Sequence, residues 1–165
     1  MSPDDVLGFW LEKVGEESWY ATNNTLDTEI RRRFLKSWNE LKAGAFGLWL
    51  TYPSGACAYI ILADQFPRNM FRGSKNAFAS DKAGLAAAKS SIKRGWDLRI
   101  DEPVRQFFYL PLMHSESLYD QDTPSVFDMP NQLYVGFDIE NAAGTWGNIN
   151  VSLDNFGVWS NNYSI

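Results

Sequence analysis

The chain has 165 residues, 45% hydrophobic and 15% aromatic, which is the size and apolar content of one domain with a core and excludes global disorder. Its formal net charge is −5, and all 15 Lys and Arg lie at or before Arg105, leaving residues 106–165 with seven acids and no Lys or Arg. An acidic chain of this kind is a poor candidate for nucleic acid, so no nucleic-acid partner is expected, and the longest apolar run, residues 56–63, is far short of the roughly 18 residues that span a bilayer, so no membrane partner is expected.

In chain order, Ser2 is a capping hydroxyl ahead of Pro3, and Asp4 and Asp5 suit the positive end of a helix dipole. A first helix is predicted to about Lys13, with Phe9 and Trp10 toward the core. After a loop over 14–24, residues 25–42 carry Ile30, Phe34, Trp38 and Leu41 on one face, the clearest amphipathic helix of the chain, and Gly44 suits the position just past its end. Residues 49–55 contain Pro53 and Gly55 and read as a turn. The next helix, apolar nearly all round from about Ala56, reaches Asp64 and Gln65 and should kink or stop at Pro67, which has no amide hydrogen. Ser80 is placed to cap a helix from Asp81 to about Lys93, with Gly95 ending it. Pro103 opens another helix, and Pro111 separates it from a further one over 112–120. From Thr123 onward prolines, glycines and asparagines break any period. That segment reads as an irregular, loosely packed tail rather than an independent domain, with short pieces such as 132–137 and 148–153 able to pair as strands.

Cys57, the one cysteine, sits in the apolar run and reads as a buried, inert thiol. With no disulfide framework and an acidic start unlike a leader peptide, the expected location is the cytoplasm.

Several motifs follow one another along the chain: residues 6–10 (Val-Leu-Gly-Phe-Trp), Ile30, Arg33 and Phe34, then Asp64-Gln65-Phe66-Pro67-Arg68-Asn69, Phe71-Arg72-Gly73, residues 77–81, and Phe108-Tyr109-Leu110-Pro111-Leu112 running into His114-Ser115-Glu116 and Asp120-Gln121. In this combination the sequence resembles the uncharacterised bacterial family known as domain of unknown function 924, over about residues 6–122. The resemblance implies an all-α fold similar to a tetratricopeptide-type array of antiparallel helices, whose stacked pairs leave a concave surface. It implies no activity. Beyond about Asp122 the chain departs from the family pattern, and a shifted reading frame there would also account for the missing Lys and Arg.

Asp64, Gln65, Arg68, Asn69, Arg72, His114 and Glu116 are the candidate site. One reading makes them internal fasteners: Asp64 pairs with Arg68 or Arg72, Asn69 ties down the turn, and His114 bonds across to it. The other makes them a pocket in which Arg68 and Arg72 hold a small anionic ligand, carboxylate or phosphate, and His114 acts as a general base oriented by Glu116 or Asp64. That pocket requires both guanidinium groups to be without acidic partners. A lone histidine does not suit zinc, and no nucleophile elbow, P-loop or dinucleotide fingerprint occurs, so no metal and no cofactor is expected. Two function classes remain: a non-catalytic helical module that binds a protein or peptide partner, and a small-molecule-binding protein or enzyme with an Asp/Arg/His/Glu pocket.

Overall fold

The computed structural model describes residues 1–117 and 120, and the backbone of 137–140 and 146–149. The chain divides into two units, Met1–Thr123 and Pro124–Ile165. The first is all-helical over its described residues, and none of its helices is long and apolar enough to cross a membrane.

Helix α1 (Pro3–Leu7) starts at a capping box in which Ser2 Oγ accepts from the Asp5 amide and Asp5 Oδ2 accepts from the Ser2 amide. It widens into a π segment, Gly8–Val14, which delivers Phe9 and Trp10 to the core. Helix α2 (Asn24–Lys42) is capped by Asn23, whose side-chain oxygen accepts from the amides of Thr25 and Leu26. It buries Ile30, Phe34, Trp38 and Leu41, the face that the periodicity predicts. Gly44 comes next with φ +93, the left-handed conformation that closes a helix end.

The segment read as a turn is partly helical. A 3-10 turn over Gly47–Thr51 leads directly into α3, which begins at Pro53 rather than Ala56 because proline suits a first helical position. Gly55 lies where a Cβ would run into the Trp49 carbonyl and the Tyr52 ring, so the turn packs closely on α3 only because the position has no side chain. Helix α3 (Pro53–Ile60), a π segment (Ile61–Gln65) and α4 (Phe66–Met70) run on as one rod.

The chain therefore continues through Pro67 instead of stopping. The wider π turn lets the Phe66 amide reach back to the Ile61 carbonyl, and Pro67 occupies the first turn of α4, where a missing donor matters least. Proline supplies no hydrogen to the carbonyl four residues earlier, that of Ala63. Ser80 Oγ donates to that oxygen instead, at 2.5 Å, while accepting from Trp38 Nε1 at 2.8 Å. Ser80 consequently does not cap α5 (Asp81–Lys93) with its side chain, contrary to the expectation from sequence.

Gly95, at φ +67, lies just past the end of α5. Beyond it the expected helix at Pro103 is a 3-10 turn, Val104–Phe108, and the expected helix over 112–120 is the short α6, Leu110–Met113. Pro111 again sits in a first turn, and the chain leaves α6 at His114. In the second unit the described residues form two strands, β1 (Phe137–Glu140) and β2 (Trp146–Ile149), antiparallel with Phe137 opposite Ile149 and Glu140 opposite Trp146. β1 shares residue 137 with the first of the two pieces read from sequence, and β2 shares residues 148–149 with the second. The remainder of the segment read as an irregular tail lies outside the described residues.

Phe66 sits at the centre of the core, with ring centroids 4.5 Å from Phe34, 5.4 Å from Trp10 and 6.1 Å from Phe9. Trp19 is buried as well: it packs 4.8 Å from Phe107 and donates its indole hydrogen to the Trp10 carbonyl.

This packing can be tested at two residues. Ser80→Ala leaves both the Ala63 carbonyl and the Trp38 indole without this partner, at about 1–3 kcal/mol for each buried group left unbonded, and denaturant unfolding should show a loss of about 2–6 kcal/mol for the two together. Burial pushes the Cys57 thiol up to about 12, so a thiol reagent at mildly alkaline pH should label Cys57 only after denaturation.

Candidate functional site

Two helical rods meet at the polar motif. The π segment brings Asp64 and Gln65 into the interior, α4 projects Arg68 and Asn69, and α6 ends at His114. Asp64 is fully buried. Its Oδ1 lies 2.9 Å from His114 Nδ1 and 3.4 Å from Arg68 Nη1, and its Oδ2 accepts from Gln65 Nε2 at 2.5 Å. Burial alone would raise its pKa, but the charges of His114 and Arg68 and the hydrogen bonds from His114 and Gln65 outweigh it and hold the carboxyl below its ordinary value. An ionised carboxylate can only accept, so His114 donates through Nδ1.

Arg68 is occupied on two sides. Nη1 donates to the Asp64 carbonyl at 2.8 Å, and its two terminal nitrogens form a fork on the Asp81 carboxylate at 3.0 and 3.2 Å. Arg72 forms a second fork, on Asp27, at 2.9 and 3.1 Å, and Asn69 Nδ2 donates to the same carboxylate at 2.9 Å. Asp27 belongs to the first turn of α2, so this cluster fastens α4 to α2. Arg31 adds a bond from Nη1 to the Met70 carbonyl at 3.1 Å, at the end of α4 where carbonyls have no helical partner.

The structure thus brings together Asp64, Gln65, Arg68 and His114, and joins Asn69 and Arg72 through Asp27. Glu116 is exposed and makes no side-chain hydrogen bond or ion pair among the described residues. Among the described residues, no group of three or more His, Cys, Asp or Glu is placed to hold a metal ion.

Four further residues belong to this region and were not legible as such. Asp27 lies in the first turn of α2 and Asp81 in that of α5, positions where an acid already has a local reason to stand. Tyr20 leaves 49% of its surface exposed, yet turns its hydroxyl inward to donate to Gln106 Oε1. Burial and the neighbouring charges of Asp64 and Glu16 push that hydroxyl well above the usual tyrosine range. Gln106 in turn donates to the Pro103 carbonyl at 2.8 Å. On the exposed side of α2, Arg32 and Arg33 both hydrogen-bond Glu29 and lower its pKa to about 2.

A helical domain whose buried carboxylate clamps a histidine and whose arginines each grip an acid from another helix is the class of protein these features define. The family model described as bacterial protein of unknown function, DUF924, matches residues 6–132, and the chain belongs to that family. The match covers all the motifs read from sequence. The chain is also similar to a solved protein of unknown function from Agrobacterium tumefaciens, 32% identical with a TM-score of 0.71 over 76% of this chain and 70% of that one. No curated protein matches it. Neither the family description nor that of the solved relative assigns a function.

Asp64→Ala removes the acceptor from His114 and one of two acids from Arg68. Because Arg68 keeps Asp81, the loss should be about 3 kcal/mol, the low end for breaking a buried pair. The folded pKa of Asp64 is depressed, so its contribution is present above the unfolded value of about 4 and is lost as pH falls through the folded value. Stability against pH measured on Asp64→Asn should therefore be flatter than wild type below about pH 4.

Proposed function

We propose that the chain is a non-catalytic helical interaction module that holds a protein or peptide partner on the outside of a tetratricopeptide-like array, its polar motif serving as internal fastening. The observation that carries this reading is the state of the two arginines. Arg68 grips Asp81 and Arg72 grips Asp27 through paired hydrogen bonds, so the forks that would seat a carboxylate or phosphate already hold one. A small anion would have to displace an acid of the chain that is tethered at high local concentration. On this reading the function needs no cofactor, the second unit is an appendage rather than an independent domain, and the single buried thiol suits the cytoplasm.

A second reading, a small-molecule-binding protein or enzyme, is favoured by one observation. Asp64 orients the chain's only histidine through Nδ1, and the His114 side chain keeps 14% of its surface exposed. The two readings separate in a thermal-shift screen of small anions, divalent metals and metabolites against wild type, Arg68→Ala and His114→Ala. The module reading expects no compound to raise the melting temperature and both variants to melt lower. A compound that shifts wild type by several degrees, as binding at about 100 times Kd would, but leaves correctly folded His114→Ala unmoved would overturn it in favour of the second.

A further inference from the structure

Leu48 and Leu98, 80% and 70% exposed, are the most exposed large apolar side chains among the described residues, and both stand on turns tied to the core. In the 3-10 turn Gly47–Thr51 the Phe46 ring stacks on buried Trp49 at 4.4 Å, Thr51 Oγ1 donates to the Leu48 carbonyl at 2.7 Å, and Gly55 admits the turn against α3. The 3-10 turn Asp97–Arg99 is held by the Tyr109 hydroxyl, which donates to Asp97 Oδ2 at 2.7 Å. An anchored backbone has little freedom left to lose, so covering a leucine on it keeps most of the gain of burial.

A path of contacts joins the two turns. Arg94 Nη1 donates at 3.2 Å to the carbonyl of Leu50, in the turn that carries Leu48, while its guanidinium lies 4.7 Å over the ring of Trp96, which leads into the turn of Leu98. The exposed charge along this path is positive. Lys93, Arg94 and Arg99 are exposed and make no ion pair among the described residues, whereas Lys89 pairs with Asp120 and Arg105 with Glu102. Of the acids on the same stretch, Asp97 is buried against Tyr109, and Asp101 and Glu102 are exposed beyond Arg99.

We infer that this path is the docking surface for an acidic peptide segment of a partner protein, whose apolar side chains cover Leu48 and Leu98 and whose carboxylates lie between them on Arg94, Lys93 and Arg99. Charge and the line of contacts choose that occupant. A segment that covers both leucines crosses the Arg94–Trp96 pair, so its ends meet apolar surface and its middle meets a guanidinium. Arg94 gives one nitrogen to the Leu50 carbonyl and keeps further N–H groups of its planar fork for a carboxylate. A carboxylate arriving there displaces no acid of the described chain, in contrast to Arg68 and Arg72, whose forks hold Asp81 and Asp27. An anionic lipid sheet fits less well, because its charge extends in all directions and meets exposed Asp101 and Glu102 on a chain of net charge −5. A peptide places its acids only opposite the cations. The inference rests on reading the protein as an interaction module, and it names the surface and the chemistry of the partner.

Fluorescence polarisation tests it with labelled peptides that carry two leucines at varied spacing around a run of glutamates, titrated with the full chain to about 1 mM. At least one spacing is expected to bind, with a dissociation constant that rises about tenfold or more between about 50 mM and about 500 mM salt. Exchanging the peptide's leucines for alanine, or its glutamates for lysine, should abolish binding. Lys93→Glu/Arg99→Glu should weaken it by about tenfold or more, and Leu48→Asp should weaken it at an unchanged melting temperature. No binding at any spacing, or binding indifferent to both variants, overturns the proposal. With no peptide bound, attachment to phosphatidylserine vesicles or a dimer in sedimentation, either one lost in Lys93→Glu/Arg99→Glu, gives the surface to lipid or to a second copy instead. These failures leave the module reading standing, since that reading fails only on a ligand shift that depends on His114.

Discussion

The structure depends on how one helical rod gets past a proline. An α-helix that meets Pro67 loses a donor and clashes with its own preceding turn. Here the preceding segment, Ile61–Gln65, opens into a π turn, and the rod from Pro53 to Met70 survives. The extra residue per turn rotates the rest of the rod, which sets Phe66 among Phe9, Trp10 and Phe34 and sends Asp64 into the interior. Neither placement would hold in a straight helix broken at residue 66. The carbonyl released at Ala63 recruits Ser80 and, through it, Trp38 of α2, so the same proline that perturbs the rod also ties it to two other helices.

A buried carboxylate is expensive unless its oxygens are bonded and its charge is answered. Asp64 has three partners, drawn from its own rod and from the end of α6. This makes His114 the point at which the last described helix of the first unit is fixed to the centre. The more exposed pairs, Arg68 with Asp81 and Arg72 with Asp27, carry less energy per contact because solvent screens them. Their contribution is orientation: each joins residues far apart in sequence through a planar fork that accepts a narrow range of angles. A motif that looks like a ligand site in sequence is thus consistent with four helices holding one another in register.

The surface shows the opposite economy. Leu48 and Leu98 stand in solvent on turns held by aromatic stacking, a buried tyrosine bond and a glycine contact. Exposed leucines on frayed loops are ordinary, but rigid ones beside cations that have no ion pair among the described residues form a surface with a defined shape and charge.

By itself the sequence determined the features that depend on local pattern. Helix α2 with its buried stripe, the cap at Ser2, the glycine closure at Gly44, the buried thiol and the all-helical character of the first unit all arise from spacing within a few turns of chain. The motif order also carried the family. Only the tertiary structure decided the rest. Continuation through Pro67 required a π turn, whose stability comes from core packing rather than from any local propensity. The reassignment of Ser80 from cap to carbonyl partner depended on Ala63, 17 residues earlier in the chain. Asp27 and Asp81 each look like helix-start acids, and nothing local distinguishes a carboxylate facing water from one gripped by an arginine 45 or 13 residues away. Such pairings are decided by which helices pack together, and that is a property of the whole core.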